Sequence, residues 1–406
     1  MANARDTIKR IRNHPSLGLY CGRNEGDPPP GLDKGLRDAV AELHADVRYI
    51  PHSAAGGVSG GGPYAAQTPR FYFEERATEK LHSELGMPNV VGYESLRQMM
   101  PEGSLWPQGL DWGLHDFNLA GAQALAGFRR VIDETFGGAD DAAQWVRLAQ
   151  VVDYDGYRAM FEAQSKNRMG VLLWMSHPAW PSFVWQTYDY YLDPTAGYFG
   201  SRKGSEPLHV QWNPLTDEVE VVNYSAGAQT GLAVHAEILN LDGSRQWEKT
   251  ASVDSPEDSV QGPISLEFPA SLSDVHFVRL RVASGPQVLS ENVYWRGRRD
   301  GDLRALRTLP LVTLRARTSL ERHGNRFALT SEIENPSAAP ALLVRLSPVR
   351  ATSGDRIRPA IFSDNDVTLM PGERKTIRAE VAVRDARGEE PRIALDGFNV
   401  EPARSE

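Results

Sequence analysis

At 406 residues, 41% hydrophobic and with nine tryptophans, the chain is long enough for two or three domains with substantial cores. A net charge of −9 excludes a nucleic-acid binder, because an acidic surface repels phosphates, and no apolar run approaches the roughly 20 residues that span a membrane. The single cysteine, Cys21, excludes an internal disulfide.

In chain order, MANARDTIKRIRNHP lacks the apolar centre of a signal peptide, and DTIKRIRNHP reads as the last turns of a helix. SLGLYC (residues 16–21) is a short apolar run between a His-Pro break and Gly22, the pattern of a strand buried on both faces of a parallel sheet. Glu25 follows in the loop at the strand's carboxyl end, the rim from which catalytic groups project in α/β barrels. The glycine-rich run GGVSGGGPY ends on Tyr64. It has no lysine and Ser/Thr pair at phosphate-loop spacing, and reads as an active-site loop. KLHSELGMPNV (residues 80–90) brings Glu84 to the end of an element that Gly86 and Pro88 must stop. LDWGLHDF follows with Trp112, His115 and Asp116, which either line a loop at the site or begin a capped helix.

Residues 118–168 are helix-rich, with Asp140 and Asp141 as candidate caps for WVRLAQVVDYDGYRAMFEAQ. A strand is predicted from about Gly170. From Ser205 the period changes to two: DEVEVVN, FVRLRV (Val278, Leu280 and Val282 on one face) and VLSENVYW read as strands of a β-sandwich to about residue 298. RRDGDLRAL, Arg298 to Leu306, reads as a linker. A second alternating block, with a Pro371-Gly372 turn before Ile377, Ala379, Val381 and Val383, reads as another sandwich ending near Val400. His82, His115 and His177 lie at no metal-ligand spacing such as HExxH, so neither a metal nor a cofactor is expected.

Three segments together resemble glycoside hydrolase family 2. NHPSLGLYCGRNE is similar to that family's acid/base segment, HSELGMPNVVGYESL to its nucleophile segment, and GVLLWMSHPAWPSFVWQTYDYY (residues 170–191) to its last barrel strand. The MPNV and YESLRQMMP runs resemble the exo-β-glucosaminidase and β-mannosidase branch. The resemblance implies a multidomain fold: the C-terminal half (strands four to eight) of a (β/α)8 TIM barrel over residues 1–203, then immunoglobulin-like β-sandwiches over 204–298 and 299–406. It implies a retaining exo-β-glycosidase acting by double displacement on terminal β-linked sugars of mannoside or glucosaminide type, with β-galactoside or β-glucuronide as alternatives. Glu25 takes the acid/base role, which calls for a raised pKa from burial and a neighbouring charge, and Glu84 the nucleophile role. Asn24 would hydrogen-bond the sugar hydroxyl beside the anomeric carbon, and Trp174 would pack under the ring. Tyr64 would lie beside the nucleophile, and Trp112, His115, Asp116 and Trp180 would line the substrate site. Asp116 or Asp27 would supply the extra carboxylate a glucosaminide needs.

The expected partner is a carbohydrate, the non-reducing end of an oligosaccharide or glycan. About a dozen residues precede the His-Pro-Ser turn, so the chain is expected to lack an N-terminal portion, including the first barrel strands, that another polypeptide could supply in trans. A second reading follows, that of a non-catalytic fragment or carbohydrate-binding scaffold with an incomplete barrel. The resemblance is compatible with a secreted or periplasmic full-length enzyme; the residues themselves fix no compartment.

Overall fold

The computed structural model describes residues 1–117, 124–167 and 169–405. The first six residues of the predicted helix-rich stretch, and its last, lie outside them. The N-terminal region alternates short parallel strands with helices. Strand β1 (Leu19–Cys21) pairs in parallel with β2 (Arg48–Ile50), and β4 (Leu81–Leu85) lies between β3 (Val58–Ser59) and β5 (Val171–Leu173), again in parallel. Helices Ala2–Ile11 and Pro30–Leu43 flank the first pair. The longest helix, Ala142–Glu162, starts where expected: the Asp141 carboxylate accepts from the Gln144 backbone N–H at 2.8 Å, a helix N-cap.

Two antiparallel regions follow. Strands β6 (Leu208–Asn213), β7 (Glu218–Asn223), β8 (Gln229–Asn240), β9 (Arg245–Ser255), β10 (Ser259–Ser265), β11 (Val275–Ser284) and β12 (Gln287–Gly297) form sheets ordered β10-β7-β6 and β12-β11-β8-β9. Val278, Leu280 and Val282 share a dry face in the core between these sheets, as period two requires. Strands β13 (Arg315–His323), β14 (Arg326–Glu334), β15 (Ala341–Arg350), β16 (Ala360–Phe362), β17 (Val367–Leu369), β18 (Arg374–Ala382), β19 (Pro391–Asp396) and β20 (Ala403–Arg404) form the other pair, β13-β14-β18-β16 and β17-β15-β19-β20. Ile377, Ala379 and Val381 are buried on β18, while Val383 begins a short 3-10 turn. The Arg298–Leu306 segment is docked: Leu303 donates its N–H to Thr135 O at 2.8 Å, and Leu306 is fully buried.

One continuous apolar core runs from Leu85 and Met87 through Trp145 and Trp295 to Leu329 and Ile377. A polar junction completes it. Arg158, side chain 1% exposed, donates to Asn292 Oδ1 at 2.6 Å and Val293 O at 2.8 Å and pairs with Asp155 at 2.5 Å. Glu162 Oε1 faces His209 Nε2 at 3.0 Å and accepts from Asn292 Nδ2 at 2.9 Å and the Tyr294 hydroxyl at 2.7 Å. Helix and sandwich are thereby joined by charged groups that bond one another, as burying charge requires, with Arg158 Nε left 3.9 Å from Glu162 Oε1 and without a hydrogen-bond partner among the described residues.

The expectation for β1 needs correction. Leu19 and Cys21 are exposed, and Tyr20 alone packs against a small cluster of Ile8, Ala39 and Val40. Among the described residues the strand has one hydrogen-bonded neighbour, β2, and the face that carries Leu19 and Cys21 is open to solvent.

Candidate active site

Glu84 is the fourth residue of β4 and only 9% exposed. The strand is fixed on both sides: Leu85 O accepts from Trp174 N–H at 3.0 Å, and the chains approach so closely at Gly86 that an added Cβ would lie 2.1 Å from Trp174 O. His82, two residues earlier, is buried, and one ring nitrogen, Nε2, lies 2.9 Å from Arg76 O. Burial lowers its pKa, so the ring is neutral and Nε2–H is the donor.

Tyr64 connects the two acidic segments. Its hydroxyl lies 2.6 Å from Glu84 Oε2 and 3.3 Å from Glu25 Oε1. It has one proton to give, and the shorter contact takes it. Those two contacts to one oxygen hold the two carboxylate oxygens within 5.9 Å, the sum of the distances. Burial, the Glu84 hydrogen bond and the charges of both glutamates push the phenol pKa up, so Tyr64 stays a donor at any physiological pH. The preceding glycines explain its position. Gly61 and Gly62 have φ of +83° and +82°, and a Cβ on Gly62 would meet Tyr64 N at 2.8 Å and its ring at 2.9 Å; only glycine allows this reversal.

Glu25 stands in the loop after β1 with φ +54°, exposed to solvent. Its N–H donates to Ser53 Oγ at 2.9 Å, and that hydroxyl donates to Asn24 Oδ1 at 3.0 Å. Ser53 thus ties the loops after β1 and β2 together. The burial expected for an acid/base carboxylate is not provided here: the described residues leave Glu25 open on one side.

Trp174 directly follows β5, is 37% exposed, and packs edge-on against Trp185 (ring centroids 6.4 Å); Trp185 in turn packs edge-on against Tyr64 at 5.7 Å. This aromatic wall joins Trp174 to the glutamates. Trp180, 43% exposed, stacks on His115 at 5.7 Å and 21°, and His115 Nδ1 lies 2.7 Å from Pro181 O. Among the described residues this second ledge shares no hydrogen bond or ring contact with Glu25 or Glu84. Asp116 sits beside it with φ +67°, and Asp27 lies on the exposed loop, 3.6 Å from His52 Nε2.

Trp112 is a core residue, contrary to the substrate-lining role expected of it. It is fully buried, stacked on Phe183 at 5.0 Å and 4°, and its indole N–H faces Ser104 O and Leu105 O at 3.2 Å each. No ring face is left for a ligand. Sequence reasoning passed over Trp185 and Ser53. Trp185 lies within the tryptophan-rich run 170–191, where spacing does not separate it from its neighbours; Ser53 lies in a loop with no pattern at all.

Comparison with known proteins bears on this arrangement. The chain is 28% identical to the exo-β-D-glucosaminidase of Streptomyces avermitilis over 96% of its own length and 48% of that protein's. It is 25% identical to the mannosylglycoprotein endo-β-mannosidase of Lilium longiflorum, over 98% of this chain and 53% of that one. Over most of its length the chain is thus similar to glycosidases named exo-β-D-glucosaminidase and endo-β-mannosidase. Residues 292–400 match the Ig-fold domain of exo-β-D-glucosaminidases. The fold superposes on the crystal structure of the Amycolatopsis orientalis exo-chitosanase with a TM-score of 0.91 at 23% identity, covering 99% of this chain and 53% of that one. The chain therefore spans about half the length of the glycosidases it matches.

Proposed function

We propose that this chain carries the two catalytic carboxylates of a retaining exo-β-glycosidase for terminal β-linked glucosaminides, with mannosides next. The observation that carries the reading is the convergence of Glu25 and Glu84 on the Tyr64 hydroxyl, with their oxygens within 5.9 Å. A retaining pair needs carboxyl groups roughly 5–5.5 Å apart, whereas an inverting pair needs about 6.5–9.5 Å to admit a water. The relatives named exo-β-D-glucosaminidase favour the amino sugar.

In this reading Glu84 attacks the anomeric carbon as Glu25 protonates the departing oxygen, giving a glycosyl ester on Glu84. Glu25, now a carboxylate, takes a proton from water, and that water cleaves the ester. Tyr64 holds Glu84 in position and stabilises its negative charge before attack. Trp174, with Trp185 behind it, offers an apolar face to the sugar's C–H patches. Asn24, held by Ser53, bonds the neighbouring hydroxyl.

We further propose that residues 1–203 are part of a (β/α)8 barrel, and 204–298 and 299–406 two immunoglobulin-like modules. Among the described residues β1 and β5 each have a single hydrogen-bonded neighbour, and Leu19 and Leu172 on them are exposed. These edges suit further parallel strands, from the same polypeptide or in trans, that would also cover Glu25. The exposure of Glu25 favours the second reading for the chain by itself, a carbohydrate-binding scaffold without turnover.

The test is hydrolysis of p-nitrophenyl β-D-glucosaminide and β-D-mannoside by this chain, alone and with the preceding half of a relative's barrel added. Turnover that Glu84→Gln abolishes while the fold is kept supports the enzyme. Turnover that survives Glu84→Gln refutes the assignment, and saturable glucosaminide binding without turnover under either condition points to the scaffold.

A further inference from the structure

Away from Glu84, a cavity of about 590 Å³ opens between helix Tyr93–Met99 and the β15–β16 side of the C-terminal sandwich. In a chain of net charge −9, five arginines line it: Arg97, Arg350, Arg356, Arg358 and Arg387. Two of them are engaged. Arg350 pairs with Asp355 at 3.2 Å and donates to Asp385 O at 2.9 Å; Arg356 pairs with Asp193 at 2.5 Å and donates to Ser95 Oγ at 3.1 Å.

The other three are left over. Arg97 and Arg387 are exposed and make no ion pair among the described residues. Arg358 donates through one nitrogen to Gln98 Oε1 at 3.2 Å and lies over the Tyr191 ring at 5.2 Å, while its Nη1 is buried with no hydrogen-bond partner. Burial first, and Arg356 second, lower the Arg358 pKa, against the opposing charges of Asp193 and Asp189. Three carboxylates also line the cavity: Glu94, Asp355 and Asp385. Asp355 is taken by Arg350, and Asp385 lies 3.7 Å from Arg384. The excess is positive.

We propose that this cavity is an anion site, taking a phosphate or sulfate group either free or as an ester on a sugar-sized body. Guanidinium forks match tetrahedral oxyanions in geometry and charge, and the unpartnered Nη1 is a donor ready to be satisfied. The cavity falls within the roughly 300–1,000 Å³ typical of organic-ligand pockets, more than one oxyanion fills, and the Tyr191 ring gives an ester's body an apolar surface.

The experiment is titration calorimetry of the full chain at low chloride with inorganic phosphate, inorganic sulfate, glucose 6-phosphate and glucose. Saturable one-to-one binding of at least one anion, with none of glucose, is expected. Tighter binding of glucose 6-phosphate than of inorganic phosphate assigns the ester; the reverse order assigns the free anion. Arg358→Gln, and separately the surface pair Arg97→Gln with Arg387→Gln, should each weaken binding about tenfold or more, whereas Glu84→Gln should leave it unchanged. The surface pair breaks no contact of the fold, so a null result there is not a folding failure. Absence of saturable binding by every anion at millimolar concentration, or affinities that all three arginine changes leave intact, overturns the proposal. Neither result touches the reading of Glu84.

Discussion

The two acidic segments meet at one tyrosine but are supported very differently. Glu84 sits on a strand between two others, its neighbours Leu85 and Met87 in the continuous core that reaches the C-terminal sandwich. Glu25 follows a two-stranded pair whose own core is Ile8, Ala39 and Val40. Two strands alone are marginal in water, so the proposed nucleophile is on rigid ground and the proposed acid on yielding ground. Catalysis by positioned groups loses heavily when one is misplaced by an ångström. What covers the β1–β2 region therefore decides whether the pair works.

That contrast can be broken at its firm end. Arg158→Met removes the cation that Asp155, Asn292 and Val293 surround and should cost on the order of 3–5 kcal/mol of unfolding free energy. The denaturant midpoint reads it; a change below about 1 kcal/mol would mean the junction is not what joins helix and sandwich. At the yielding end, Ile8→Ala should cost about 2–5 kcal/mol locally. Hydrogen exchange should accelerate across residues 1–51 while β4 and the helix Ala142–Glu162 keep their protection. Acceleration throughout would show that the two regions unfold as one.

Smaller effects sharpen the comparison. Tyr64→Phe removes the donor at 2.6 Å from Glu84 and should destabilise the folded chain by about 1.5–3 kcal/mol; an unchanged melting temperature would remove Tyr64 as the tie. The smallest effect is a pH dependence at the junction. Burial opposes the charging of His209, but hydrogen bonds to Glu162 and Glu206 outweigh it and raise its pKa above 6.5. Burial likewise opposes Glu206, yet His209 and Lys203 hold it down at about 2. The histidine's contribution is complete below pH 6.5 and fades as pH rises through its folded value. The glutamate's is complete above its ordinary 4.5 and fades toward pH 2. The stability gap between the native chain and His209→Gln should thus be widest near pH 5–6 and should narrow as pH rises through the histidine's folded value; a flat gap would contradict the charged histidine.

Much of this was legible in the sequence where the signal is local. Glu25 and Glu84 stand in short contiguous runs, the Asp141 cap precedes its helix directly, and alternation reveals the faces of β11 and β18. Longer-range facts left no trace. LDWGLHDF has the same look whether its tryptophan faces a sugar or stacks on Phe183, and the partner that settles it is 71 residues away. SLGLYC is apolar enough for a buried strand, but exposure depends on which neighbours are present. The Arg158 junction draws on residues more than 130 positions apart, which no periodicity encodes. Gly62 is the instructive middle case, since the glycine run marked a loop ending on Tyr64 and only the structure shows the reversal at Gly62 that the tyrosine's position requires.

The most direct test is to incubate the chain, alone and with a relative's preceding barrel half, with a panel of 2-fluoro-β-glycosyl fluorides, which trap a glycosyl-enzyme ester. Intact mass and peptide mapping then locate any adduct. A single adduct on Glu84, lost in Glu84→Gln, is the predicted result. An adduct on another residue, or none from any sugar with the folded and complemented chain, would contradict the convergence of Glu25 and Glu84 as a catalytic pair.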